Sequence, residues 1–259
     1  MPDALAPRRA PVSPPPGRGL RRSAALLSAF RYEQRDPERF YRLLAADSAT
    51  QLARMVPLAG ARLLDVGGGP GYYREAFTAQ GASYLCVDPD MGELSARTEP
   101  GPGVVRGSGT QLPVRDGCVD VTYCSNVLEH VAEPELLAAE LLRVTRPGGT
   151  VYLSYTNWLS PNGGHETGPW HLVLGGQRAA DRWAARHGRR PKNDLGSTLF
   201  RVSVARMLRW ADEQERRGEV VEVRRLPRYH PRWAQGIVAV PVLREVLTWN
   251  LVLVLRRRG

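Results

Sequence analysis

A doubly wound α/β sheet is the fold class this sequence predicts, and three stretches predict it. Leu63-Leu64-Asp65-Val66 runs apolar into a glycine-rich turn, Gly67 to Gly71, with a helical stretch from Tyr72 to Gln80 directly behind it. Strand, tight turn and helix in that order make one parallel crossover. Ala82 to Asp88 is a second apolar run ending in an acid, about 20 residues past the turn, as in a second strand of such a crossover. Val119 to Asn126 is a third run, and the segment Leu142 to Arg146 stops at Pro147-Gly148-Gly149, which reads as a helix end turning into another strand. Further on, Phe200, Val204, Met207, Leu208 and Ala211 share one face of a helix over Leu199 to Glu213, and strands over Val220 to Leu226 and Thr248 to Leu255 would finish the sheet.

The positions of the glycines narrow the ligand. Gly67, Gly69 and Gly71 give G-x-G-x-G, whereas the dinucleotide fingerprint G-x-G-x-x-G would need its third glycine at Tyr72. A turn this bare lets backbone approach a ligand, and a helix N-terminus favours a carboxylate, while Asp65 repels phosphate and suits a cation. A ligand carrying an amino acid's ammonium and carboxylate beside a nucleoside meets both demands: S-adenosyl-L-methionine. From Leu63 to Asn157 the chain resembles the class I S-adenosylmethionine-dependent methyltransferases, with the glycine turn, Asp88, the 119–126 strand and the Pro147-Gly148-Gly149 turn in the family's order.

The resemblance implies a seven-stranded Rossmann-like sheet whose last strand is antiparallel. It places the methionine end on Asp65 and the Gly67, Gly69 and Gly71 backbone, the ribose hydroxyls on Asp88, and the adenine on Ser108, Gly109 and Thr110. Asn126 would lie beside the methyl group. Ser108 stands where the family commonly has an aspartate for the adenine amino group, and a hydroxyl accepts that hydrogen bond without charge assistance. After the 119–126 strand, Ser125 to Val131 lacks the Asn-Pro-Pro signature of adenine and glutamine amino-group methylases, and Cys124 lacks the preceding proline of cytosine C5 chemistry.

Composition excludes other classes. The 259 residues suffice for one domain with decoration. The longest apolar stretch, Val246 to Leu255, contains Thr248 and Asn250, and the N-terminus has no apolar signal core, so neither a transmembrane segment nor a leader is expected. Cys86, Cys118 and Cys124 are odd in number and read as reduced, cytoplasmic thiols, with no disulfide framework or zinc site. The net charge of +10 is concentrated at the termini: residues 1–22 carry five arginines against Asp3, and Arg256, Arg257 and Arg258 follow near the other end. The nearly balanced remainder shows no phosphate-tracking stripe, so a nucleic-acid substrate is disfavoured.

The organisation follows. Residues 1–22, rich in Pro and Arg, are expected to be a disordered basic tail. Residues 23–60 are expected to be helices that cover the cofactor, broken at Asp36-Pro37. Residues 61–259 form the catalytic domain, with insertions near 158–198 and 228–247, both leaving the carboxyl edge of the sheet, where a doubly wound fold binds ligands. The glycine turn, the Phe30-Arg31-Tyr32-Glu33-Gln34 start and both insertions resemble an uncharacterised actinobacterial methyltransferase family.

The first insertion reads as a substrate lid carrying the base, with His165 and Glu166 as catalytic candidates and Gly163, Gly164, Gly175 and Gly176 as hinges. The bland reading, hydrogen-bonded loop residues, applies equally to His165, Glu166 and His171. His230 reads as structural. Glu129-His130 is similar to the Glu-His pair of ubiquinone-type O-methyltransferases, in which a second glutamate shares a metal. Asn126 stands near where that glutamate would be, and one carboxylate with one imidazole is too few for a hard cation, so no metal site is expected. The 186–192 run of Arg, His and Lys reads as a solvated loop, and Trp158, Trp170 and Trp233 as buried core or site walls. The function expected is S-adenosylmethionine-dependent O-methylation of a small-molecule, lipid or glycan acceptor. An RNA methyltransferase and a non-catalytic cofactor-binding module are the alternatives.

Overall fold

The structure is a computed structural model that describes residues 19–33, 36–69, 71–89 and 103–259. Two helices lead, α1 (Leu20–Glu33) and α2 (Pro37–Ala53), separated at Asp36, whose carboxylate accepts the Arg39 amide at 3.2 Å as a cap. Residues 1–18 of the expected tail lie outside the described residues; its last three are already helical, and Arg22 is tied to Asp47 through two bonds of 2.7 and 2.6 Å.

The sheet comprises β1 (Arg62–Val66), β2 (Ser83–Asp88), β3 (Val104–Arg106), β4 (Val119–Ser125), β5 (Thr145–Thr156), β6 (Val220–Pro227) and β7 (Asn250–Arg257), in the order β3-β2-β1-β4-β5-β7-β6. The first five strands pair in parallel, and β7 runs antiparallel to both β5 and β6, as the resemblance implied. Alternation along the strands builds two cores, because successive side chains leave opposite faces. Leu64, Val66, Val151, Leu153, Leu251 and Leu253 pack on one face with α4 (Pro134–Val144) and α7 (Val204–Arg217). Leu63, Tyr123, Tyr152 and Val252 pack on the other with α2 and α3 (Tyr72–Thr78), where Tyr123 stacks on Tyr152 at 4.9 Å between ring centres. The stretch Val246 to Leu255 contributes a buried strand, and no described helix is long and apolar enough to cross a membrane.

The first insertion is ordered around two helices, α5 (Trp170–Leu174) and α6 (Gly176–His187). The expected helix from Leu199 begins later, at Val204, because Leu199 bridges Leu195 and Ser203 caps the N-terminus by accepting the Arg206 amide at 3.2 Å. Ser203→Ala is expected to cost about 1 kcal/mol, the usual worth of such a cap, read as a lower urea midpoint at unchanged slope. The second insertion carries a 3-10 turn, Arg232–Ala239, and α8 (Leu243–Leu247), and its Tyr229 packs with Leu26, Phe40 and Leu44 of the leading helices.

Candidate functional site

The ends of β1 and β2 place two acids under the glycine turn. Gly67, Gly69 and Gly71 adopt φ of 77°, 51° and 83°, a region that favours glycine over any side chain. Space is as restrictive as angle: a Cβ on Gly67 would lie 2.3 Å from Val127, and one on Gly68 2.5 Å from the Asp65 carboxylate. At Gly71 a Cβ would meet nothing within 4 Å, so that side of the turn is open.

Asp65 and Asp88 are both buried. The Tyr84 hydroxyl donates to Asp65 Oδ2 at 2.5 Å, and the Gly69 amide donates to Asp88 Oδ2 at 2.9 Å. Burial pushes the Asp65 carboxyl up to about 7, partly offset by the Tyr84 bond and reinforced by the charge of Asp88. The charge of Asp88 is felt at Asp65, and a cationic ligand group beside the two acids would offset that repulsion. The Cys86 thiol beside them is pushed up by the same burial and stays neutral.

Ser108, Gly109 and Thr110 form a tight loop beside β1. The Ser108 hydroxyl accepts the Thr110 amide at 3.2 Å and bonds the Thr110 hydroxyl at 2.9 Å, so it organises its own loop. A Cβ on Gly109 would meet Leu137 at 2.8 Å and Val66 at 3.3 Å, which seats this loop against the end of β1.

Beyond β4 the chain turns at Asn126, a non-glycine residue at φ 59°, whose side-chain oxygen accepts from Asn250 at 2.7 Å. The following 3-10 turn, Leu128–His130, buries Glu129. Its Oε1 accepts the Thr156 amide at 2.9 Å, and its Oε2 is enclosed without a partner. The His130 Nδ1 meets the Thr198 carbonyl at 2.7 Å, so that nitrogen donates and Nε2 is the ring atom left for a ligand.

His165, also at positive φ (50°), comes from the insertion and stands against His130 with ring centres 5.0 Å apart. Its Nδ1 is enclosed without a partner, and desolvation, with His130 next to it, lowers its pKa from the ordinary histidine value. One ligand atom from each of Glu129, His130 and His165 lies within 4.8 Å of the others. Non-glycine residues at positive φ cluster at functional sites, and Asn126 and His165 both lie here.

Other candidates go elsewhere. Glu166 accepts from Asn193 at 3.0 Å, and its charge also acts on His165. His171 is buried with Nε2 on the Trp158 carbonyl at 2.9 Å, holding the insertion together. Of the three tryptophans only Trp158 is core; Trp233 is 79% exposed, and Trp170 lies under the Arg182 guanidinium at 4.4 Å. Arg190 pairs with Asp181 and Asp194 on the surface, as a solvated loop would.

Sequence reasoning assigned no role to Arg228, which is buried with its guanidinium on the hydroxyls of Ser48, Ser125 and Ser154 at 2.6, 2.8 and 3.1 Å. An open concavity at the opposite edge is lined by Asp120, Arg146 and Arg256. Arg62 and Arg146 hold the Asp120 carboxyl well below the usual range, so its polar groups are already matched.

Comparison with known proteins decides the family. A methyltransferase domain model matches residues 64–153. An uncharacterised methyltransferase of Mycolicibacterium gilvum is 55% identical over 247 residues, covering 92% of this chain and 94% of that one. The chain belongs to the S-adenosylmethionine-dependent methyltransferases. An uncharacterised methyltransferase of Mycobacterium tuberculosis is 52% identical over 246 residues, covering 91% and 94%. The fold matches an S-adenosylmethionine-dependent methyltransferase of Mesorhizobium loti with a TM-score of 0.53 at 22% identity, over 82% of this chain and 98% of that one. The methyltransferase domain match ends within β5, before the insertion that carries His165.

Proposed function

We propose that this methyltransferase methylates a hydroxyl oxygen of a small-molecule, lipid or glycan acceptor held between the 158–198 insertion and the carboxyl ends of β4 and β5. S-adenosylmethionine, when bound, supplies a methyl group already activated on a sulfonium. The residues fit it: the cradle has no room for side chains at Gly67 and Gly68 but is open at Gly71, and the two buried acids suit its ammonium and ribose hydroxyls. Asp65 with the Gly67, Gly69 and Gly71 backbone would hold the methionine end, Asp88 the ribose, Ser108, Gly109 and Thr110 the adenine, and Asn126 the space beside the methyl.

The observation that carries the acceptor assignment is His165. A half-buried imidazole whose pKa is lowered by desolvation, with one nitrogen enclosed and unpartnered, stands near a buried carboxylate oxygen that is also unpartnered. An acceptor hydroxyl brought here finds acceptors for its proton, and its deprotonation depends on His165. Glu166, bonded to Asn193, positions the turn that carries His165. Positioning supplies the rest, since the nucleophile must lie in line with the methyl group. The test is transfer of labelled methyl from the cofactor into extract of cells lacking the protein. Label in a methyl ether or ester of a small molecule, lipid or glycan supports the reading; label confined to RNA or to amine nitrogen contradicts it.

Asp65 supplies a pH signature. Its folded pKa is raised, so the carboxyl is protonated below about 7 and gains charge above it. A ligand ammonium prefers the charged form, so cofactor affinity is expected to rise with pH through neutrality and to weaken about tenfold per pH unit below it. In the ligand-free protein the same raised value means that stability falls as pH rises from the unfolded carboxylate range towards 7. Calorimetric titration at several pH values checks this, and Asp65→Asn should flatten the profile.

A further inference from the structure

Glu129, His130 and His165 come from two segments 35 residues apart, and their meeting asks what they hold together. The carboxylate is buried with one oxygen engaged by the Thr156 amide and the other without a partner. The His165 Nδ1 is likewise enclosed without a partner. An unmatched carboxylate oxygen out of water loses solvation that nothing here replaces, and an unmatched imidazole nitrogen on a neighbouring residue calls for a third group.

The outer contacts point to a cation. A ligating imidazole characteristically donates its other N–H to a backbone carbonyl, which fixes the tautomer and aims the lone pair. His130 does this at Thr198, 2.7 Å away. Donor atoms on one ion with bonds of about 2.0–2.2 Å stand roughly 3–4 Å apart, and these three lie within 4.8 Å of one another, so closure needs only small side-chain movement. Two imidazoles with one carboxylate suit zinc or manganese better than the all-oxygen preference of magnesium or calcium.

We propose that Glu129, His130 and His165 bind one divalent transition-metal ion of the zinc or manganese type, leaving open positions for an oxygen of the methyl acceptor. The inference rests on the proposed function for the acceptor, and the ion itself rests on the side chains alone. It departs from the expectation of no metal site: in this proposal His165 from the insertion takes the place of the second glutamate, while Asn126 is engaged by Asn250. It also gives the dependence of deprotonation on His165 a physical form, because an ion acidifies an oxygen it holds.

The test is calorimetry with zinc chloride and, separately, manganese chloride on the chelator-stripped full chain. One ion of one of these metals per chain is expected. Affinity should fall at least tenfold, a lower bound set by what even outer-shell changes cost, in Glu129→Gln and in His165→Asn. Glu129→Gln keeps an oxygen for the Thr156 amide, and asparagine tolerates the left-handed backbone of residue 165. His187→Ala, on the exposed end of α6, should leave affinity unchanged. Cobalt loaded into the unaltered chain gives a second readout free of variants, with the intense visible absorption of a nitrogen- and oxygen-ligated site.

No ion bound by the unaltered chain, or equal affinity in the two ligand variants, overturns the proposal. S-adenosylmethionine affinity is measured on the same samples. Cofactor bound and oxygen methylated without an ion would sink the metal site and leave the function standing. An ion bound as expected, with methyl transferred to nitrogen or RNA, would do the reverse.

Discussion

His165→Ala is expected to lower turnover by about 10²-fold or more while cofactor affinity stays nearly unchanged. The split follows from position. His165 lies with Glu129 and His130 beyond β4 and β5, and Asp65, Asp88 and the glycine turn lie at β1 and β2. Loss of the imidazole removes what receives or acidifies the acceptor proton and leaves the cradle intact. Residue 165 sits at φ 50°, where alanine pays of the order of 1 kcal/mol. His165→Asn separates strain from chemistry, because it relieves the backbone and should remain as inactive. Thermal denaturation and single-turnover methyl release check both variants. Activity kept in both, or stability collapsing in parallel with activity, would mean that the turn is scaffolding.

Asp88→Ala is expected to weaken S-adenosylmethionine by roughly 10- to 100-fold, from about 1.5–3 kcal/mol of charge-assisted hydrogen bonding to the ribose. The structure adds that Asp88 also receives the Gly69 amide at 2.9 Å, so the alanine variant loosens the turn as well. Asp88→Asn retains an oxygen for that amide and isolates the ribose contribution. Full recovery of affinity in the asparagine variant would show that Asp88 serves the turn alone. Because the charge of Asp88 helps raise Asp65, the pH midpoint of cofactor binding should also move down in Asp88→Asn.

The sheet and the glycine turn were legible because local signals suffice for them. Apolar runs of strand length, acids at their ends and three glycines at fixed spacing each state a backbone requirement that no distant residue alters. Most strand bounds moved by a residue or two, as in β7, which runs Asn250–Arg257 where Thr248 to Leu255 was expected; β5 starts at Thr145 and takes in Pro147-Gly148-Gly149, expected as the turn before it. The start of α7 was misplaced by five residues because the apolar face continues through Phe200, whereas the Ser203 cap decides where the helix begins.

The acceptor side was only half legible. Glu129 and His130 are adjacent in sequence, and alone they were too few to ligate anything. Their third member arrives from the insertion, whose path is set by contacts such as His171 on the Trp158 carbonyl and Gly164 packed on the His171 ring. Periodicity carries no record of such contacts. His165 and Glu166, neighbours in sequence, read as a catalytic pair; a 3-10 turn sends their side chains to different partners. The burial of Arg228 was hidden for the same reason, since its three hydroxyl partners come from α2, β4 and β5.

Mass spectrometry of extracts from cells lacking the protein, complemented either with the unaltered chain or with His165→Asn, tests the central claim most directly. The account predicts a small molecule, lipid or glycan bearing one extra methyl on oxygen that accumulates with the unaltered chain and is missing with the variant. Accumulation of the same product with both chains, or a new methyl found only on nitrogen or in RNA, would contradict it.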